Sequence, residues 1–199
     1  MIDLSAKVTQ RPPSADKIVR NINFGLATGL TKTAKEGQSA VLGSLKGTFT
    51  LRGSWSSPSN KFGIKIKPAK RDDLTAEVRT NADWLLLHEE GGLKRPSGHR
   101  LAIPTENVRR NKRLIIPKAQ RPAALRGKRT FIIHTSRGDV LFQRKFRGKR
   151  SMIVALFNLE PQAKIKKQST FYEPIGKVVK RRLAKNLDAG IRNALATMK

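Results

Sequence analysis

The chain has 199 residues, no cysteine and a formal net charge of +28. This length suits one domain of ordinary size, and the lack of cysteine excludes disulfide bridges and thiol chemistry. No apolar run approaches the roughly 20 residues that cross a bilayer, and the N-terminal residues lack the apolar core of a secretory signal. We therefore expect synthesis in the cytoplasm and no membrane partner. A strongly basic balance is typical of proteins that face nucleic acid, and less often of proteins that face an anionic membrane or an acidic protein.

The excess of positive charge is concentrated in the second half of the chain. Residues 1–90 carry 14 basic and 9 acidic side chains, whereas residues 91–150 carry 18 basic and 2 acidic ones. Residues 164–199 add 10 basic and 2 acidic side chains. A generally solvated basic surface accounts for the first half. It does not account for a net charge of +16 within sixty residues, so we place the candidate nucleic-acid contacts in the second half.

A long helix is predicted near the N-terminus, with Ser14 as its N-cap. Apolar residues recur there at about four-residue steps, which indicates one buried face. They are Ile18, Ile22, Leu26, Leu30, Ala34, Val41 and Leu45. Four glycines in the same stretch each weaken a helix by roughly 1 kcal/mol relative to alanine, which favours a close-packed or kinked helix. They are Gly25, Gly29, Gly37 and Gly43.

Short strands and a short helix are predicted next. The alternating segments 48–55 and 61–67, separated by SSPSN, indicate a hairpin with a loose loop, and residues 75–80 suit a third strand. A short helix follows through residues 84–87, starting at position 81 or 83 and ending at Gly91 and Gly92.

From residue 93 to residue 128 sustained periodicity is lost. Prolines at positions 96, 104, 117 and 122 interrupt short apolar pieces. A segment of this length without secondary structure of its own is uncommon within a compact domain unless it is functional or disordered. We therefore predict a single domain over residues 1–199 with an extended basic loop at about 93–128.

The remaining strands and the last helix have clear local signals. Residues 131–135 and 139–146 suit a second hairpin, and residues 152–159 suit a strand that ends at Pro161. Thr170 with Glu173 forms a capping-box pattern before a helix with a basic outer face. Its apolar stripe has a spacing of four residues: Ile175, Val179, Leu183, Leu187, Ile191 and Leu195. The order of helix, strands, short helix, strands and helix predicts an α+β fold.

The sequence predicts no enzyme, metal site or cofactor. His88 begins a pattern similar to a zincin motif, but the position of the second histidine is Gly92. The adjacent carboxylates at 72–73 and 89–90 suit a magnesium-dependent nuclease only if they converge, and neighbours on a strand or helix diverge. A nuclease stays the most distant alternative. The tripeptide Arg-Gly-Asp at 137–139 is ordinary turn chemistry, and we assign it no adhesive role.

The pattern of aromatic residues does not predict base recognition. Aromatics make up 6% of the chain, and we expect the hairpins to lack the stacked aromatic pairs of single-strand RNA modules. We therefore expect contacts to phosphate without sequence readout. The candidate residues for nucleic-acid, lumen or subunit contact are Lys94, Arg95, Arg109, Arg110, Lys112, Arg113, Arg126, Lys128, Arg129, Arg144, Lys145, Arg147, Lys149, Arg150, Lys180, Arg181 and Lys185.

Three local patterns together carry a family resemblance. The first is LTKTAKEGQSAVLGSLKGTFTLRGSW (30–55), and the second is WLLLHEEGG (84–92), followed by a basic stretch and LAIPT (101–105). The third is NLEPQAKIKKQSTFYE (158–173), which leads into the terminal basic helix. In this order they resemble the minor tail proteins of tailed phages and prophages, the tail-completion proteins of the minor-tail-protein-Z type.

The resemblance implies a structural virion protein in the tail or neck, at the head-proximal end of the tail. It implies a homo-oligomer, expected as a hexameric ring around the DNA path, with non-specific contact to genomic DNA. The implied partners are the tail terminator or tail tube and the head-tail connector, and no activity or cofactor is implied. The alternative, from composition alone, is a ribosomal- or nucleoid-type basic nucleic-acid-binding protein.

Overall fold

The computed structural model describes residues 14–51, 54–136, 138–147 and 150–197. It contains helices and antiparallel strands, so the predicted α+β class is confirmed. In chain order the elements are α1 (Ala15–Thr48), β1 (Lys65–Lys67), β2 (Glu77–Arg79), α2 (Asp83–Glu90), β3 (Gly92–Lys94), β4 (Leu101–Pro104), a 3-10 turn (Lys118–Gln120), α3 (Pro122–Leu125), β5 (Thr130–Thr135), β6 (Gly138–Arg147), β7 (Arg150–Glu160), β8 (Ala163–Ile165) and α4 (Tyr172–Ala196).

The chain divides into two compact units. Unit 1 comprises Met1–Ser44, Ile64–Thr80 and Phe171–Lys199, and unit 2 comprises Leu45–Gly63 and Asn81–Thr170. Unit 2 has 24 basic and 6 acidic residues, against 18 and 8 in unit 1, so most of the excess charge belongs to unit 2. Four features named above lie outside the described residues: the start of the chain, positions 52–53 of the first predicted hairpin, Arg137 of the turn tripeptide, and Lys149.

In unit 1, helices α1 and α4 pack together through their glycines. A Cβ atom on Gly25 would lie 2.7 Å from the carbonyl oxygen of Gly190, and one on Gly29 would lie 2.6 Å from that of Asn186. Gly29, which follows Gly25 on α1, meets α4 at a residue that precedes Gly190. The two helices therefore run antiparallel. The prediction of a close-packed N-terminal helix is therefore confirmed.

The predicted apolar stripes on these helices are partly wrong. On α4 the buried positions are Asn186, Gly190 and Ala194, whereas Val179 and Leu195 are each 39% exposed. The rest of the α4 stripe is half-buried. On α1 the buried residues of unit 1 are mostly small: Gly25, Ala27, Gly29, Thr33, Ala34, Gly37 and Val41. Because the two backbones approach so closely, small residues occupy the contact line and the larger side chains lie at its borders.

The predicted capping box at the start of α4 is wrong. The N-cap residue is Phe171, and no side chain caps the helix. Thr170 is buried, and its backbone N–H donates to a carboxylate oxygen of Glu89 at 2.8 Å within unit 2. Glu173 forms an ion pair with Lys177 at 2.6 Å, and this hydrogen bond and the lysine charge hold the pKa of Glu173 below its usual value.

The first predicted hairpin is also wrong. Helix α1 continues to Thr48, and residues 54–63 form a series of turns. Strand β1 pairs with β2 instead, and Ile66 lies opposite Val78. The prediction of a strand within residues 75–80 is confirmed.

Unit 2 is built on a four-stranded antiparallel sheet with the strand order β4-β7-β6-β5. The second hairpin and the strand after it are confirmed as β5, β6 and β7. One face of the sheet carries a core of buried residues, with half-buried apolar side chains packed against it. The buried residues are Val108, Leu125, Leu156 and Phe157, and the half-buried ones are Ile116, Leu141, Val154 and Leu159. We call this side the core face.

The extended loop predicted at about 93–128 is corrected. Strand β3 ends at Lys94 and pairs with β8, and β4 pairs with β7. Val108 and Leu125 anchor the following stretch in the core of unit 2. Each of these pieces is too short to show periodicity, and its partner lies far along the chain, so the local pattern does not reveal it.

The predicted short helix is confirmed as α2, which ends at Gly91 with a positive φ of 76°. Its buried residue Glu89 forms the hydrogen bond to Thr170 described above. His88 lies against the ring of Phe49, at 4.9 Å between ring centroids. Burial is the main cause that lowers the pKa of His88, with a smaller contribution from the charge of Lys94. Among the helices of the described chain, none is long and apolar enough to span a bilayer.

Candidate nucleic-acid interface

The strand register of unit 2 collects several candidate residues at one end of the sheet. The backbone N–H of Arg144 donates to the carbonyl oxygen of Arg129 at 2.9 Å. The side-chain amide of Gln143 donates to the carbonyl oxygen of Lys128 at 3.3 Å. The start of β5 therefore lies beside the last residues of β6. We call the exposed cluster formed here the basic end: Lys128, Arg129, Arg144, Lys145 and Arg150.

The basic end has no acidic neighbour along the strands that form it. The sequence contains no Asp or Glu at positions 107–138 or 140–159. None of its five residues forms an ion pair within the described part of the chain. In addition, Arg147 pairs with Arg150 in the backbone register of the β6–β7 hairpin. Among the described residues the positive charges of the basic end have no ion-pair partner, which favours attraction of a polyanion.

Aromatic side chains lie on the side of the sheet opposite the core face. Leu141 belongs to the core face, so the next residue, Phe142, points to the other side. The register places Phe131 opposite Phe142, and the two rings are stacked with 6.1 Å between centroids and 18° between planes. Phe146 lies four residues further along β6 and therefore on the same side. The statement that the hairpins lack a stacked aromatic pair is thus wrong.

The aromatic side of the sheet is not covered by the other described residues of unit 2. None of its residues is buried. Phe146 is 55% exposed, and the Arg129 guanidinium carbon lies 4.9 Å from its ring centroid. Ile153, opposite Arg144 on the same side, is 53% exposed, and Ile133 on β5 is 39% exposed. We call this surface the Phe face: Phe131, Ile133, Phe142, Phe146 and Ile153.

Other predicted residues of unit 2 are not brought into the basic end. Lys94 ends β3 and Arg95 follows it. Arg126 precedes the cluster, after α3, and is exposed. The remaining four lie between β4 and the 3-10 turn. They are Arg109, Arg110, Lys112 and Arg113.

Three of these four positions have distinctive surroundings. Lys112 and Arg113 border an open cavity of about 440 Å³ together with Leu51 and Ser54. A terminal nitrogen of Arg110 is buried and has no hydrogen-bond partner among the described residues.

The candidates on α4 belong to unit 1 and do not form one cluster. Arg181 and Lys185 are exposed and lie about one turn apart on the same side of the helix. Lys180 is exposed but is rotated by about 100° from Arg181 around the helix axis. The outer side of α4 is therefore less uniformly basic than its sequence indicates, and Arg192 on this helix is ion-paired with Asp188 at 3.0 Å.

A basic groove in unit 1 was not predicted from the sequence. Its volume is about 560 Å³, and all of its charged lining residues are basic: Lys32, Lys35, Lys70 and Arg71. The hydroxyl of Thr31 accepts a hydrogen bond from the backbone N–H of Ala69 at 3.1 Å, which ties the loop after β1 to α1. The two halves of the groove are far apart along the chain, so the spacing of residues in the sequence does not predict the groove.

The described residues offer cation and ring contacts and no grouped metal ligands. No set of three or more His, Asp or Glu side chains in the described ranges is placed to hold a metal ion. The basic end suits contact with phosphate groups, and the Phe face presents apolar and aromatic surface beside it. Comparison of the chain with models of protein families, with curated proteins and with solved structures finds no match.

Proposed function

We propose that this chain is a non-enzymatic structural protein that contacts nucleic acid through phosphate, without sequence specificity, as a tail-completion protein of a tailed phage. The observation that carries the nucleic-acid part is the basic end, where five exposed cations have no ion-pair partner among the described residues. The family resemblance of the sequence supports the setting in the virion.

In this setting the protein forms a ring at the head-proximal end of the tail, around the path of the DNA. A hexamer suits a ring matched to the tail tube, with the tail terminator or tail tube on one side and the head-tail connector on the other. DNA must move through such a ring during ejection. Weak and distributed attraction by lysine and arginine is therefore better suited to it than tight base recognition.

The phosphate-contact proposal predicts a local effect on the salt dependence of duplex binding. Each phosphate contact contributes about 0.9 to the slope of log K against log salt concentration. Replacing Arg144 and Arg150 together by Gln should reduce that slope by about 2. The measurement is fluorescence anisotropy with a duplex of arbitrary sequence, titrated at several salt concentrations.

The matched control for this experiment removes the same net charge elsewhere. Lys177 and Arg192 are ion-paired with Glu173 and Asp188, so replacing them together by Gln should leave the slope nearly unchanged. An equal loss of slope in both double variants would show that only the overall charge matters, and it would overturn the assignment to the basic end.

The ring proposal predicts an order of assembly. Copies with a net charge of +28 repel each other, so we expect the isolated chain to be monomeric or weakly associated and to form its ring only on the tail. Light scattering at low salt should give the mass of a monomer, and purified tails should take up a fixed number of copies. A stable hexamer in isolation at low concentration would contradict this order, and failure to associate with tails would contradict the virion setting.

A ribosomal- or nucleoid-type basic protein is the second candidate. The specific observation that favours it is the Phe face, because exposed aromatic side chains beside cations suit unpaired bases better than duplex DNA. Copurification with cellular nucleic acid, lost steeply with salt and without oligomer formation, would favour this candidate over the tail protein.

A further inference from the structure

The Phe face differs from the exposed apolar residues of an ordinary protein surface. Four of the large apolar side chains that are exposed in unit 2 lie on this one side of the sheet: Ile103, Ile133, Phe146 and Ile153. They lie on the same side of the sheet as the stacked pair of Phe131 and Phe142. Exposed apolar side chains that gather on one side of a sheet mark a binding site more often than singly scattered ones do.

The charges around the Phe face restrict what can bind to it. Arg129 lies over the ring of Phe146, and Arg144 extends from the same side of β6. No acidic residue occurs in β5, in β7 before Glu160, or in β6 after Asp139. A second copy of this chain would bring the same positive charges against these arginines, which is unfavourable. The surface is complementary to a ligand that is both aromatic and anionic.

From this combination we infer that the Phe face binds single-stranded nucleic acid, with unpaired bases against Phe131, Phe142 and Phe146 and phosphates at the basic end. Base stacking on aromatic side chains tolerates any sequence, because every base has a flat ring face. In a duplex those ring faces are already stacked on each other. The inference therefore goes beyond the proposed function, since contact with duplex phosphate makes no use of the Phe face.

A comparison of two strands with equal charge tests this inference. One probe is a labelled oligothymidylate of about 15 nucleotides, and the other is an abasic strand of the same length, with the same phosphates and no bases. We expect the full-length protein to bind the thymidylate strand at least about fivefold more tightly, as measured by fluorescence anisotropy. Phe146→Leu should remove most of this preference and leave binding of the abasic strand unchanged.

The control is another exposed phenylalanine of unit 2 that carries a cation over its ring. Lys61 lies 5.6 Å from the ring centroid of Phe62, which is outside the sheet, so Phe62→Leu should keep the preference for bases. Thermal melts of both variants establish that they are folded. Phe142→Leu gives a second test within the stacked pair.

Two results would overturn the inference. Equal affinity of the unaltered protein for both strands would show that only phosphates are bound, which leaves the proposed function intact. Concentration-dependent self-association that is abolished by Phe146→Leu, without any preference for bases, would identify the Phe face as a contact between subunits. The salt slope of duplex binding after replacing Arg144 and Arg150 tests the basic end, so failure of the proposed function is distinguishable from failure of this inference.

Discussion

Replacing Phe157 by Ala should lower the free energy of unfolding of unit 2 by about 3–5 kcal/mol. Phe157 is 2% exposed and lies in β7, opposite Leu141, within the core of the sheet. The substitution removes a large apolar side chain from a packed site and leaves a cavity that neighbours on three strands and the 105–125 segment cannot fill. Chemical denaturation followed by circular dichroism measures the change.

The matched control is the same substitution on the other side of the same sheet. Phe146 is 55% exposed and contacts Arg129, so Phe146→Ala should change the stability by about 0.5 kcal/mol or less. Equal losses for the two variants would mean that the core face and the Phe face are assigned incorrectly. They would also remove the basis for a ligand on the Phe face.

Replacing Gly190 by Ala should destabilise unit 1 by about 1–3 kcal/mol or more, although alanine is the better helix former. A Cβ atom at this position would collide with the carbonyl oxygen of Gly25 and lie 3.2 Å from the backbone nitrogen of Gly29. Both obstacles are backbone atoms, which cannot rotate away as a side chain does. The helices must separate, and the hydrogen bond of 3.1 Å from Asn186 to Thr33 would be strained.

The matched control is Gly176 on the same helix, where replacement by Ala should raise the stability instead of lowering it. A Cβ atom on Gly176 would meet no heavy atom within 4 Å apart from its chain neighbours and the backbone of its own helix, so Gly176→Ala should stabilise α4 by up to about 1 kcal/mol. The two variants should therefore shift the thermal unfolding midpoint in opposite directions. A stabilising Gly190→Ala would show that the helices are not in close backbone contact.

Several elements were predictable from the sequence because their signals are local. The glycines and periodic apolar residues of α1 indicate a close-packed helix, and the α1 contact at Gly25 and Gly29 confirms it. The hairpin of β5 and β6 has strand-forming residues on both sides of a turn, and α2 ends at a glycine with positive φ. In each case the sequence signal lies within the element itself, even where the contact that confirms it, as between α1 and α4, joins distant residues.

The mistaken elements depend on interactions between distant residues. Strand β1 pairs with β2 rather than with the segment before it, and β4 forms only by pairing with β7. The capping box fails because Thr170 is bonded to Glu89, which is 81 positions away. The local amino-acid pattern carries no information about partners that are distant along the chain. A prediction from that pattern therefore pairs each segment with its neighbours in the sequence.

The sequence by itself determined the α+β class and the excess of positive charge, because these depend on composition and on neighbours along the chain. It also placed most of that charge in the second half. Only the tertiary structure decided which cations form the basic end, since the register of β5, β6 and β7 joins Arg129, Arg144 and Arg150. The Phe face also forms only through the pairing of these strands. Phe131 and Phe142 are ordinary strand residues until antiparallel pairing sets them opposite each other, on the side of the sheet that the core does not use.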